Sequence, residues 1–324
     1  MTATGIGSMP GTDIVETVRV VVGELPDFVY LPELPERGAP ATMTGRGAAM
    51  LSGLAADLQP AGWRIQESPG VDHRRAVSTL ARDLDALEEH TQGYTGRLKV
   101  QVVGPLTLAA AMERPRGDKV LADFGARRDL AQSLTEGVAD HVRGVSARVP
   151  GARLLVQVDE PALTAVLAGA VPTASGFSRH RSVAEPEARE ALARLVAAIV
   201  AAGAVPVVHV CAADVPVALL AQVGFSAVSF DLSQVTPGEP WALAYEGGIA
   251  LWPGAVPAMD PDQPPTASAL VAAVLRFFAE LGVTEEQVAD RLVVTPACGL
   301  AGASPTWARD ALRLSREVAQ NSVL

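Results

Sequence analysis

"PEAREALARLVAAIVAAGAVPVVHVC", residues 186–211, decides the fold. Its first eighteen residues place apolar side chains at helical spacing and end on Gly203, a common helix stop. Within two residues the pattern changes to "VPVVHVC", residues 205–211, a nearly continuous run of β-branched residues. Such a strand reads as buried on both faces, the state of strands in a parallel sheet covered by helices. A helix feeding directly into a strand of this kind is half of a β/α repeat.

The same pairing recurs in both directions along the chain. Strand-like segments stand near residues 5, 27, 98, 153, 205, 226, 248 and 291, and a helical pattern follows each. Eight such units in 324 residues predict a single α/β domain over residues 1–324, a (β/α)8 TIM barrel. A doubly wound open sheet fits less well, because no GxGxxG opens the first helix. Residues 45–59, "GRGAAMLSGLAADLQ", read as a helix, and the Pro- and Gly-rich stretches near 32–40, 170–178 and 253–265 as loops after strands.

Composition narrows the function classes. Hydrophobic residues are 49%, charged residues 19%, and the net charge is −10, a globular balance without the basic stripe of a nucleic-acid-binding surface. There is no apolar run of membrane-spanning length and no charged-then-apolar leader pattern. Two cysteines make no disulfide framework, so a reducing cytoplasm is expected.

In a barrel every strand ends on the same face, and active sites form there. The unusual polar residues stand at those ends: Ser8, Glu33, Asp159 with Glu160, His209 with Cys211, Asp231 and Cys298. His209 and Cys211 are two apart, which puts both on one face of a strand. Imidazole and thiolate suit zinc, and Cys298 in "VVTPACGLAG", residues 293–302, adds a second sulphur. Three ligands would leave one position open, as in catalytic zinc sites. The same residues also suit a buried histidine with a backbone partner and two core thiols, and spacing alone leaves both readings open.

Five ordered stretches resemble the cobalamin-independent methionine synthases. They are "IGSMPGT" at 6–12, "VVGPLTL" at 102–108, "VQVDEPAL" at 156–163, "HVC" at 209–211 and "TPACGL" at 295–300. The family's counterparts read "IGSFPQT", "TGPVT", "QIDEPAL", His-x-Cys and "PDCGL". The resemblance implies a TIM barrel and a methyltransferase that makes methionine from homocysteine with Zn2+. It implies His209, Cys211 and Cys298 as zinc ligands, with Asp231 where the family has a glutamate ligand. It further implies Ser8 at the homocysteine carboxylate and Asp159 at its ammonium, with Glu33 as a second acidic grip.

Three departures bear on the methyl donor. The folate-using enzymes carry a second barrel and are about twice as long. "IALWPGAVP" at 249–257 aligns with "DIHSPNVP", so Trp252 stands where the family has a histidine that protonates the folate leaving group. "PDCGL" has become "PACGL", with Ala297 in place of an acid. These changes favour methylcobalamin or a methylated corrinoid protein over methyltetrahydrofolate, with the apolar face of Trp252 against the macrocycle. The alternatives are a corrinoid-linked methyltransferase acting on another thiol, and a barrel that binds zinc and amino acid as a sensor.

Overall fold

The computed structural model describes residues 1–322. Eight strands form one parallel sheet: β1 (Thr2–Ala3), β2 (Phe28–Tyr30), β5 (Arg97–Val103), β6 (Arg153–Asp159), β7 (Val205–Val210), β8 (Ala227–Asp231), β9 (Ala250–Val256) and β10 (Val293–Pro296). Their order is β1-β10-β9-β8-β7-β6-β5-β2. All eight strands read from the sequence are present. The fold is the expected TIM barrel.

The edge strands β1 and β2 are too short to pair along their length. The sheet closes beyond their ends instead: Met9 N–H donates to Glu33 O at 2.8 Å and Glu33 N–H to Gly7 O at 3.0 Å. The resulting Ser8–Glu33 bridge lies at the C-terminal end of the barrel. Closure thus sets two candidate site residues side by side.

Helices cover the outside. They are α1 (Ile14–Glu24), α2 (Met43–Ala49), α3 (Val71–His90), α4 (Pro105–Ala111), α5 (Phe124–Arg148), α6 (Leu163–Leu167), α7 (Glu185–Ala201), α8 (Val217–Val223), α9 (Glu239–Glu246), α10 (Ala267–Glu280), α11 (Glu285–Arg291) and α12 (Pro305–Asn321). Several begin where a side-chain oxygen accepts a free backbone N–H, as Asp13, Asp123 and Ser304 do. Among the described residues, no helix is long and apolar enough to cross a membrane.

Two expectations are corrected. The helix read over residues 45–59 stops at Ala49, and β3 (Ala55–Gln59) pairs antiparallel with β4 (Gly62–Gln66). Gly53 at φ +69° and Gly62 at φ +131° supply the breaks, since left-handed backbone there costs glycine little. The second correction concerns Trp252. It is buried near the start of β9 among Phe28, Leu155, Val207, Ala227 and Val293, at the N-terminal ends of the strands. Its ring meets Phe28 edge-on at 5.7 Å. Trp252 plugs the bottom of the barrel, opposite the mouth, because an inward position two residues into a strand cannot reach the strand's far end.

Trp252→Ala should therefore lower the stability of the protein by about 3–5 kcal/mol in urea unfolding. Unchanged stability in the variant would mean that Trp252 is not part of the barrel's core.

Candidate active site at the barrel mouth

The parallel register makes the site. Asp159 on β6 pairs with His209 on β7, and His209 pairs with Ser229 on β8. Three polar residues from three strands thus stand level, one step below the mouth. A cavity of about 240 Å³ opens above them. Its walls include Ser8, Glu33, Asp159, His209, Cys211, Cys298 and Gly299. Six of the sequence-predicted site residues meet there.

The ligand atoms of His209, Cys211 and Cys298 lie within 4.8 Å of one another. The two sulphurs are 3.1 Å apart and share a hydrogen bond. That contact, with His209 beside it, favours ionising Cys298 and holds the Cys211 thiol protonated, its pKa raised. His209 Nδ1 lies 3.0 Å from Ser229 Oγ, while buried Nε2 has no hydrogen-bond partner among the described residues. With the proton on Nδ1, the Nε2 lone pair is free to ligate. A buried imidazole nitrogen lacking a partner next to two sulphurs fits zinc better than an ordinary core histidine.

Asp231 stands apart from this group. Its Oδ1 accepts from Ser233 N–H at 2.9 Å and from Ser233 Oγ–H at 2.7 Å, a local turn at the end of β8. It does not line the cavity. Being one methylene shorter than glutamate, its side chain satisfies the turn instead of reaching inward.

The two acids of the cavity differ in their support. Asp159 Oδ1 accepts from Gln157 Nε2 at 2.7 Å. Gln157 Oε1 in turn accepts from Lys99 Nζ at 2.7 Å, and Lys99 also donates to Ile6 O at 2.8 Å. Burial pushes the Asp159 pKa up and the Lys99 pKa down, and mutual attraction opposes both shifts. Glu33 accepts from Arg46 Nε at 3.0 Å. Burial raises its pKa, with Arg46 the main opposing charge.

Glu160 points elsewhere. It accepts from Leu106 N–H, Thr107 N–H and Thr107 Oγ–H, so it caps the start of α4. The cap at this strand end is therefore Glu160, which frees Asp159 for the cavity. A Cβ on Gly104 would come 2.2 Å from the Glu160 carboxylate, and one on Gly299 would come 2.0 Å from Ser8 Oγ. A side chain at either glycine would displace the Glu160 carboxylate or the Ser8 hydroxyl from its place.

Lys99, Gln157, Ser229 and Arg46 were not read from the sequence as site residues. A signal existed for three of them. Lys99, Gln157 and Ser229 are polar interruptions of apolar strands, and Gln157 and Ser229 each stand two residues before a carboxylate.

A TIM barrel with a soft His-Cys-Cys group and buried acids at its mouth defines the class: a barrel enzyme suited to metal-assisted chemistry on a small polar substrate. The family model "Cobalamin-independent synthase, Catalytic domain" matches residues 1–321. The chain belongs to that family and is a methyltransferase of the methionine-synthase type. No curated protein matches it. Among solved structures it is similar to a B12-independent methionine synthase from Shewanella sp. W3-18-1 in complex with selenomethionine. That likeness has a TM-score of 0.64 and 14% identity, covering 98% of this chain and 96% of the other. A β-galactosidase from the psychrophilic Marinomonas ef1 aligns at TM-score 0.50 and 12% identity, over 99% of this chain and 59% of that one. At such identities both likenesses speak for the fold alone.

Ser229→Ala should leave His209 Nδ1 without its partner. Metal affinity, measured by competition with a chromophoric chelator, should fall about 10–100-fold. Unchanged affinity would mean that the hydroxyl does not orient the imidazole.

Proposed function

We propose that this protein transfers a methyl group to the thiol of L-homocysteine, forming methionine, with zinc held by His209, Cys211 and Cys298. Residues 1–324 act in this proposal as one catalytic barrel. The observation that carries it is the shared cavity, where the three soft ligands and two buried acids line the same 240 Å³. The ligand group needs a sulphur or a lone pair, and the acids need a cation. Homocysteine offers both ends at a short, fixed separation.

The roles follow from the contacts. Asp159 and Glu33 accept from the substrate ammonium. Gln157 and Arg46 hold one oxygen of each carboxylate and leave the other for the ligand. Ser8 Oγ–H donates to the substrate carboxylate. Among the described residues no Lys or Arg lines the cavity, so a thiol whose far end is only anionic finds no counter-charge there and depends on the Ser8 hydroxyl alone. This favours homocysteine over a sulphonate or a simple carboxylate thiol. Bound to the three ligands, zinc would keep the substrate sulphur as thiolate at neutral pH, whereas a free thiol titrates near ~8.5. The protein aligns that sulphur with the incoming methyl group and keeps water away. The solved relative's complex with selenomethionine, an analogue of the product, supports an amino-acid pocket in this fold.

Trp252 no longer argues for a corrinoid donor, because it lies at the other end of the barrel. After β9, Pro257 O accepts from Trp307 Nε1–H, and Asp260 accepts from the N–H and Oγ–H of Ser304. The decisive assay supplies L-homocysteine with methylcobalamin in one arm and methyltetrahydrofolate in the other. Methionine should form with at least one donor. Zinc-loaded, folded protein that makes none with either overturns the proposal.

Two further outcomes are expected. Protein purified without chelator should hold about one zinc per chain, and Cys298→Ser should bind it much more weakly. Asp159→Asn should weaken L-homocysteine binding about ten- to a hundredfold in calorimetry, the worth of a charge-assisted contact of ~1.5–3 kcal/mol. Equal affinity in the variant would remove Asp159 from the site.

A further inference from the structure

The acid Glu33 is one end of a buried chain of charges that runs out of the barrel into the helical layer. Arg46 donates from Nε to Glu33 Oε1 at 3.0 Å and from Nη1 to Asp83 Oδ2 at 2.5 Å. Arg37 closes the chain with two parallel bonds to the Asp83 carboxylate, at 2.7 and 2.8 Å. The four charges balance. Asp83 is fully buried and Arg46 is 2% exposed, so this is an interior network and not a surface ion pair.

Local sequence makes room for it. Arg46 sits on the short helix α2 between Gly45 and Gly47. A Cβ on Gly45 would come 2.1 Å from Ala39 O, and one on Gly47 would come 2.4 Å from Val103 Cγ1. The two glycines let α2 press against its neighbours and bring a guanidinium to the back of the cavity. Arg46 itself does not line the cavity. A buried arginine of this kind costs solvation unless its partners are fixed. Here one partner is an acid of the candidate site and the other is held by a second arginine.

We propose that Arg46, braced by Asp83 and Arg37, is a positioning residue that holds the Glu33 carboxyl group oriented to receive the ammonium group of the amino-acid substrate. This rests on the homocysteine reading above. Arg46 occupies Oε1 and leaves Oε2 to the ligand. Burial alone would drive the Glu33 carboxyl toward its neutral form, and the Arg46 charge is the largest influence against that. Nearby His141 adds no competing charge, because burial and then Arg46 hold its pKa down to about 4. Substrate affinity, and not the methyl-transfer step, is the quantity that Arg46 controls.

Two ligands separate this role from a merely structural one: L-methionine, and 4-(methylthio)butanoate, which is the same molecule without the ammonium group. Calorimetry on the zinc-loaded full chain first asks whether the wild type binds L-methionine. No binding overturns the homocysteine reading itself. With binding established, Arg46→Gln should weaken L-methionine about tenfold or more, as expected for losing a charge-assisted grip, and leave the deaminated ligand within about twofold. In a Glu33→Gln background the Arg46 substitution should cost no further affinity, because the two residues act as one unit. Steady-state assays should show KM for homocysteine raised and kcat nearly unchanged. Arg46→Lys keeps the charge but not the two-way bridge. It should give the same pattern at smaller size, and it serves if Arg46→Gln fails to fold. Equal losses for both ligands, or additive losses in the double variant, overturn the positioning role and leave the homocysteine reading standing.

Discussion

The parallel register of β6, β7 and β8 is the constraint on which the rest of the site depends. It holds Asp159, His209 and Ser229 level across three strands, with backbone hydrogen bonds fixing each step. Side chains alternate along a strand, so a slip of one residue would turn each of these groups outward. The apolar residues between them, Val158, Val208 and Val228, are fully buried. Their burial in the core around the barrel opposes such a slip. The energetics of the core and the geometry of the site are therefore one arrangement read on opposite faces of the same strands.

The barrel interior is divided along its axis by the cost of burying polar groups. Toward the strand starts it is apolar, plugged by Trp252 on Phe28. Above that plug lie Lys99 and Gln157, each fully buried and each bonded to Ile6 O. They form a polar floor under the cavity, and Asp159 rests on it through Gln157. Glu33 is supported from a different direction, through Arg46 and Asp83. Two acids facing one cavity thus lean on different hydrogen-bond partners, while the Lys99 charge attracts both. Unpaired, two buried carboxylates this close would resist ionising together.

The fold was legible in the sequence because continuous apolar strands and helical periods alternate without interruption. Most of the site was legible too, since a histidine, thiol or carboxylate at the end of such a strand has no packing use. What escaped has physical reasons. Residues 55–66 carry helix-compatible residues at first, and only glycine conformations, invisible in a hydrophobicity pattern, turn them into a hairpin. Trp252 was placed by aligning short motifs, but its height in the barrel is set by how far into β9 it falls. Arg46 gave no signal because its partners are 13 and 37 residues away and meet it only after α2 and α3 pack. Asp231 followed the local turn of Ser233, a preference that Asx residues express over a few residues of chain.

The central claim is that the substrate sulphur meets the His209, Cys211 and Cys298 group while its amino-acid end is held by Asp159 and Glu33. Zinc-edge X-ray absorption of the zinc-loaded protein, with and without L-homocysteine, tests it most directly. The account predicts two sulphur neighbours at about 2.3 Å in the absence of substrate and three in its presence. A coordination shell that L-homocysteine leaves unchanged, in protein shown to bind it, would contradict the account.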